Sequence, residues 1–181
     1  MASIVPPRYP LNWEQIRHIV DTGQWEKFSR EQKVIDDYVI WRDSVQRTYN
    51  AAADQLRIEI FGWASELDPA TNRLRAIPVH STTTVPTPNG FVDALSTAPV
   101  VPVVDKVLRQ NFYPYWTTPA GEITHYVLWS VEEMSAEEVG AFCEQEKPGY
   151  EFIYFVNPPH RKTIPEIHHY HVFTRLKQPT K

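Results

Sequence analysis

The hydrophobic pattern of this chain changes period along its length, and that change restricts the fold class more than any single motif does. Residues 12–61 carry apolar side chains at helical spacing, residues 105–176 carry mainly period-two alternation, and a proline-rich stretch from 68 to 104 separates them. Segregation of this kind predicts α+β, with N-terminal helices packed on an antiparallel sheet formed largely by the C-terminal half. The chain has 181 residues, 42% of them hydrophobic and 13% aromatic, enough to bury a core as a single domain over 1–181.

The helical signals are specific. Asn12 caps a short helix to about Val20, with Trp13, Ile16 and Val20 on one face and Gly23 just beyond its end. Ser29 and Gln32 make a capping-box pattern, and Val34, Tyr38, Trp41, Val45, Thr48, Ala52 and Leu56 continue at helical spacing. This predicts one long amphipathic helix to about residue 60, its aromatic stripe read as core. From Asp68 to Pro102, including STTTVPTPNG, proline removes backbone donors and no periodicity survives, so regular structure there should be short or absent. A loop of that length is expected to be a lid or a mobile connection. His80 within it reads as solvated.

In the last third, Thr124–Val131 predicts a strand opening after a Pro/Gly turn, with His125, Val127, Trp129 and Val131 on one face. Ser135 and Glu138 form a capping box for a helix to about Glu146, and EFIYFVN predicts the next strand. The loop PPHRKTIPE then leads into EIHHYHVFTRL, predicted to pair antiparallel with the strand before it. Alternation puts His169, His171, Phe173 and Arg175 on one face, and His168, Tyr170, Val172, Thr174 and Leu176 on the other. The two same-face imidazoles should stand about 6 to 7 Å apart, within reach of one small ligand.

Imidazole titrates near neutral pH and serves as acid, base or nucleophile, so the pair marks a candidate site. We read His169, His171 and His125 as catalytic, with Tyr113, Tyr115, Trp116, Trp129 and Phe155 shaping an apolar pocket. Asn157, Arg161, Lys162 and Arg175 are the polar and cationic side chains assigned to substrate. This is the pattern of a cofactor-independent enzyme on a small organic molecule, in which aromatic walls select a folded conformer for cyclisation or isomerisation. The competing account is a non-catalytic ligand-binding protein whose terminal strand carries histidines because one sheet face is wet.

Composition narrows the partners. A net charge of -4 with pI ≈ 6.0 and no Lys/Arg run argues against a nucleic-acid or acidic-membrane surface. Cys143 is the sole cysteine and reads as inert helix packing, and no signal peptide or membrane-length apolar run is evident, so a cytoplasmic location is expected. No acidic residue has the spacing to join the histidines around a metal, and the six glycines form no nucleotide-binding pattern, so neither metal nor cofactor is expected. A small-molecule substrate is the expected partner, and a homodimer is left open.

Five separated pieces, in order, resemble a mainly fungal family of unknown function that includes N-acetylglucosamine-induced proteins. They are WEQIRHIVDTGQWEKFSR with Tyr38 to Trp41, then Asn111 with Pro114 and Tyr115, then ITHYVLW, FVNPP and HHYHVF. The chain departs from the family pattern at His168, where an acidic residue is usual, and at Asn111-Phe112-Tyr113-Pro114-Tyr115-Trp116. The resemblance implies a specialised member, of a kind recruited to natural-product biosynthesis, including pericyclic ring closure. A more distant likeness runs to the histidine-triad proteins through His125, Asn157, Thr163, His169 and His171. That resemblance implies a histidine-triad-like fold and phosphoryl or nucleotidyl transfer or hydrolysis with His169 as nucleophile. Against it, Ile167 stands at the first of the three alternating positions, His168 is out of phase, and the preceding loop has no glycine.

Overall fold

The computed structural model describes residues 8–78 and 104–178, and the chain divides into two compact units, Met1–Ser44 with Asp105–Lys181 and Val45–Val104. His80 and the STTTVPTPNG run lie outside the described residues. The architecture is α+β with antiparallel sheets, as the change of period predicts.

In the first unit, helix α1 (Trp13–Thr22) starts on a capping box in which Asn12 Oδ1 accepts from Gln15 N and Gln15 Oε1 accepts from Asn12 N, each at 2.9 Å. It stops at Gly23, whose φ of 68° is the left-handed conformation that glycine adopts without strain. Trp13, Ile16 and Ile19 form its buried face. Helix α2 (Gln32–Thr48) follows, but without the predicted cap: its first backbone bond runs from Ile35 N to Glu31 O, and the buried Ser29 hydroxyl has no hydrogen-bond partner among the described residues. Val45 is the one residue of this helix that is buried.

The second unit explains why the long predicted helix breaks. Helix α3 (Ala52–Glu59) is separate from α2, and strands β1 (Ser65–Asp68) and β2 (Arg73–Ala76) form an antiparallel pair, the four residues of β2 lying in the stretch where regular structure is expected to be short or absent. Asn50 N donates to Leu74 O at 2.9 Å and Asn50 Nδ2 to Asp68 Oδ2 at 2.6 Å, while Asp54 accepts from the backbone of both Ala51 and Ala76. Tyr49 N still makes its helical bond to Val45 O, but the Asn50 bond to the hairpin and the Ala51 bond to Asp54 replace helical ones at residues 50 and 51, so a continuous apolar stripe is carried by two helices.

The main sheet has the order β3-β4-β6-β5, with β3 (Lys106–Gln110), β4 (Thr124–Ser130), β5 (Tyr150–Phe155) and β6 (His168–Leu176) all antiparallel. A turn with Gly121 at φ 81° leads into β4, where a side chain would be strained. Helix α4 (Ala136–Glu146) starts on the predicted Ser135–Glu138 box. Its Val139 and Cys143 pack with Leu128, Tyr170 and Val172 on one sheet face. The opposite face, with Ile153, Phe155 and Phe173, packs on Leu11, Trp13, Ile16 and Phe28. Strand β6 is therefore a central strand covered on both sides, and His169 through Thr174 are all buried. A wet face does not account for its histidines.

Phe173 holds that second core together. It is 0% exposed and stacks on His125 at 4.6 Å and Phe28 at 5.6 Å. Phe173→Ala is expected to lower unfolding free energy by about 3–5 kcal/mol, through lost burial and the cavity left behind. Urea denaturation checks this, and a loss below about 1 kcal/mol would mean that the surrounding rings collapse into the space.

Candidate functional site

Pairing of β4 with β6 decides the site. The register sets His125 opposite Phe173, Val127 opposite His171 and Trp129 opposite His169, so the predicted face of each strand joins into one surface. His125 Nε2 and His171 Nδ1 are 3.0 Å apart, and the His169 and His171 ring centroids are separated by 5.9 Å. All three rings are at most 6% exposed.

Fixed donors and acceptors at the ends of this network determine where its protons sit. The Tyr115 backbone N–H can only donate, and it reaches His125 Nδ1 at 3.1 Å. Asn111 Nδ2 approaches the same nitrogen at 3.5 Å, while Asn111 Oδ1 accepts from Tyr113 N. His125 is thus the Nε2–H tautomer, which donates to His171 Nδ1 and makes His171 the Nε2–H tautomer in turn. His171 Nε2 lies 2.8 Å from the Asn157 side-chain amide, which must present its oxygen to accept this proton. Turning the amide over so that Oδ1 accepts also removes the otherwise unpartnered, buried Oδ1 of the opposite orientation. Its NH2 group is then a donor beside the cavity.

His169 is held separately. Its Nδ1 lies 2.9 Å from the Ile167 carbonyl, which can only accept, so Nδ1 carries the hydrogen and Nε2 the lone pair. The ring is a base and a nucleophile at Nε2. Burial is the main cause that pulls the pKa of each of the three histidines below 6.5. His171 is lowered to about 3, with further contributions from His169, Arg30 and Arg161. His169 is lowered by burial, which the Ile167 carbonyl opposes and to which Lys162 and His168 add. The network is neutral at physiological pH.

A cavity of about 240 Å³ opens on His169 and His171. The sheet contributes Val127 and Trp129, and helix α2 contributes Tyr38 and Trp41. Loop residues Asn111, Tyr113 and Tyr115 close one side, and the connection before β6 brings Asn157, Arg161, Thr163 and Ile164. Tyr38, Trp41 and Tyr113 pack against one another at 5.2 to 5.4 Å, and Trp129 meets His169 at 5.3 Å. Arg30 completes the wall: its Nε donates to Tyr113 O at 2.8 Å and its guanidinium lies 4.4 Å from the Tyr115 ring centroid.

Of the residues read as functional from sequence, His169, His171, Tyr113, Tyr115, Trp129, Asn157 and Arg161 line this cavity. His125 stands behind His171 and positions it. Phe155 is buried in the core and stacks on His171 at 4.9 Å, so it supports the ring rather than walling the cavity. Trp116 lines a different cavity of about 290 Å³, together with His125, and that cavity shares only Tyr115 with the first. Lys162 is outside the lining and acts on His169 through its charge. Arg175 is engaged elsewhere, paired with Glu151 at 2.6 Å and Glu14 at 3.8 Å and lying over Trp13. Arg30, Tyr38 and Trp41 escaped the sequence reading, although the i, i+3 aromatic pair on α2 was visible as a stripe. Among the described residues no group of three His, Cys, Asp or Glu side chains is arranged to hold a metal ion. The facing nitrogens of His125 and His171 bond each other instead.

Residues 12–175 match the family described as "Protein of unknown function (DUF3605)". The chain is similar to "Uncharacterized protein YPL067C" of Saccharomyces cerevisiae, with 23% identity over 179 residues that cover 88% of this chain and 76% of that protein. Both agree with the fungal, unknown-function family to which the five sequence pieces point. Among solved structures, the crystal structure of HTC1 aligns with a TM-score of 0.52 and 20% identity, covering 92% of this chain and 86% of that one. At that identity the likeness is one of fold. No helix among the described residues is long and apolar enough to cross a membrane.

Proposed function

The chain belongs to the DUF3605 family of proteins of unknown function, and we propose that its cavity is the site of a cofactor-independent isomerase or cyclase of small unsaturated molecules. The observation that carries this reading is His169, buried and neutral, with Nδ1–H anchored on a carbonyl and Nε2 left as a base in an aromatic-walled cavity. In the proposed reaction Nε2 takes a proton from an acidic C–H or O–H, and the electron pair stays on the substrate as an enolate. The resulting imidazolium returns the proton at another atom as bonds rearrange or a ring closes. Product and substrate then have the same composition, and no oxidant or reductant is consumed. Walls formed by Tyr38, Trp41, Tyr113 and Trp129 favour a folded conformer, which lowers the barrier by preorganisation. A pericyclic ring closure of the kind used in natural-product biosynthesis is the limiting case, in which the walls act and the base is dispensable.

The second reading is histidine-triad-like phosphoryl transfer. It is favoured by the same Nε2, here as nucleophile, with Asn157 and Thr163 at the cavity. Phosphoryl transfer also needs donors preorganised around the oxyanions, and the glycine-free loop before β6 offers no evident backbone cradle. A melting-temperature screen of unsaturated metabolites, nucleotides and sugar phosphates, followed by product analysis in D2O, separates the two. The isomerase reading expects products of unchanged composition apart from solvent deuterium. A phosphohistidine at His169, with stabilisation by phosphates alone, overturns it.

A further inference from the structure

The charge lining the cavity is one-sided. Arg30 and Arg161 face it, both partly buried, and no aspartate or glutamate is among its lining residues. Neither arginine takes part in any ion pair among the described residues, whereas Arg175, Arg75 and Arg57 all have carboxylate partners. The Arg30 guanidinium is immobilised by its Nε bond to Tyr113 O and its seat on the Tyr115 ring, which leaves its terminal nitrogens uncommitted. Asn157, 8% exposed, adds an amide donor whose orientation is set by the histidine network. A partly desolvated cation without a counter-charge is costly, and an anionic ligand offsets that cost.

We propose that the cavity takes a flat, unsaturated small molecule bearing an oxyanion, held between Arg30 and Arg161 with Asn157 as a further donor. This deepens the proposed function and rests on the same cavity being the working site. An oxyanion at that place also answers the chemistry: charge that develops when His169 removes a proton is drawn towards two guanidinium groups. The shared ligand chemistry is a carboxylate or a phosphate on an aromatic or conjugated body, since Trp41, Tyr113 and Trp129 supply faces for stacking.

The test is calorimetric binding of 2-naphthoate, 2-naphthyl phosphate and neutral 2-naphthamide to the purified chain. The acid is expected to bind roughly 10- to 100-fold more tightly than the amide, the range for hydrogen bonds to charged groups. Arg161→Gln should remove most of that preference. Arg30→Gln should do likewise while Arg30→Lys retains part of it, which separates lost charge from a disturbed loop. Tighter binding of the phosphate than of the naphthoate would identify phosphate as the oxyanion source, and the reverse a carboxylate. Equal affinity for acid and amide overturns the proposal, as do wild-type affinities in both glutamine variants or no saturable binding by either anion. Binding is read without turnover, so the two proposals fail separately. Lost proton transfer with intact preference for the acid sinks the acid–base reading alone, whereas proton transfer with no such preference sinks the clamp alone.

Discussion

His169→Ala is expected to lower turnover of the cavity's substrate roughly 10²- to 10⁴-fold, the range that a positioned general base contributes. The effect follows from the carbonyl of Ile167, which holds Nδ1–H and so delivers the lone pair at Nε2. No other group of the network can substitute. His171 Nδ1 accepts from His125 and its Nε2–H is committed to Asn157, while His125 Nδ1 is occupied by the Tyr115 backbone N–H. Folding should survive the change, because the lost hydrogen bond is local and Ile167 O can find another donor. His171→Ala should instead cost stability, by about 1–3 kcal/mol for each polar group stranded, since His125 Nε2–H and the Asn157 oxygen both lose their partner. Kinetic constants measured with circular dichroism on each variant separate the two roles. Full activity in both variants would sink every histidine-dependent mechanism and leave shape selection by the aromatic walls as the surviving account.

Acidification from pH 7 to pH 5 is expected to remove about 2 kcal/mol of unfolding free energy through His171 alone, with His125 acting in the same direction. In the unfolded chain both titrate near 6.5. In the folded chain burial holds His171 down to about 3 and His125 well below its ordinary value, with His169 adding to the effect on His171, His171 to that on His125, and Arg30 to both. Below pH 6.5 the unfolded chain therefore binds protons that the folded chain does not, and stability falls with falling pH. The His171 contribution is fully present above about 6.5 and is lost towards its folded value, at about 1.4 kcal/mol per pH unit. His169 acts in the same direction. For a domain whose whole stability is roughly 5–15 kcal/mol, such a loss brings the unfolding midpoint far down in urea. A midpoint that stays flat between pH 7 and pH 5 would mean that the rings open to water before they protonate.

The histidine pair was legible in the sequence because alternation places His169 and His171 on one side whatever the strand pairs with. Their spacing, predicted at about 6 to 7 Å, compares with 5.9 Å between ring centroids. Trp129 was legible for the same reason, being in phase with His125 on β4. Arg30 was not, since it lies between a one-turn helix and α2, where no periodicity marks the direction of a side chain. Tyr38 and Trp41 read as core from sequence, because an aromatic stripe on a helix looks the same whether it meets another wall or a cavity. Arg175 shows the opposite failure. It shares the histidine face in phase, yet lies beyond Phe173 at the far end of β6, where Glu151 and Glu14 claim it.

What the sequence determined by itself is local: the capping boxes at Asn12 and Ser135, the stop at Gly23, the extent of β4, α4 and β6, and the face on which each histidine stands. These depend on side chains within one turn or on a period of two, and contacts at such short range survive in almost any tertiary setting. Only the tertiary structure decided that β6 lies between β4 and β5, that His125 meets His171, and that the helical stripe breaks at Asn50 where a hairpin offers better partners. Strand neighbours are chosen by burial summed over both sheet faces and by the closure of long connections, and no short window of sequence contains either quantity. The protonation state of the site is tertiary for the same reason. It is set by a backbone N–H at Tyr115 and a carbonyl at Ile167, groups that every residue carries and that only the fold can aim.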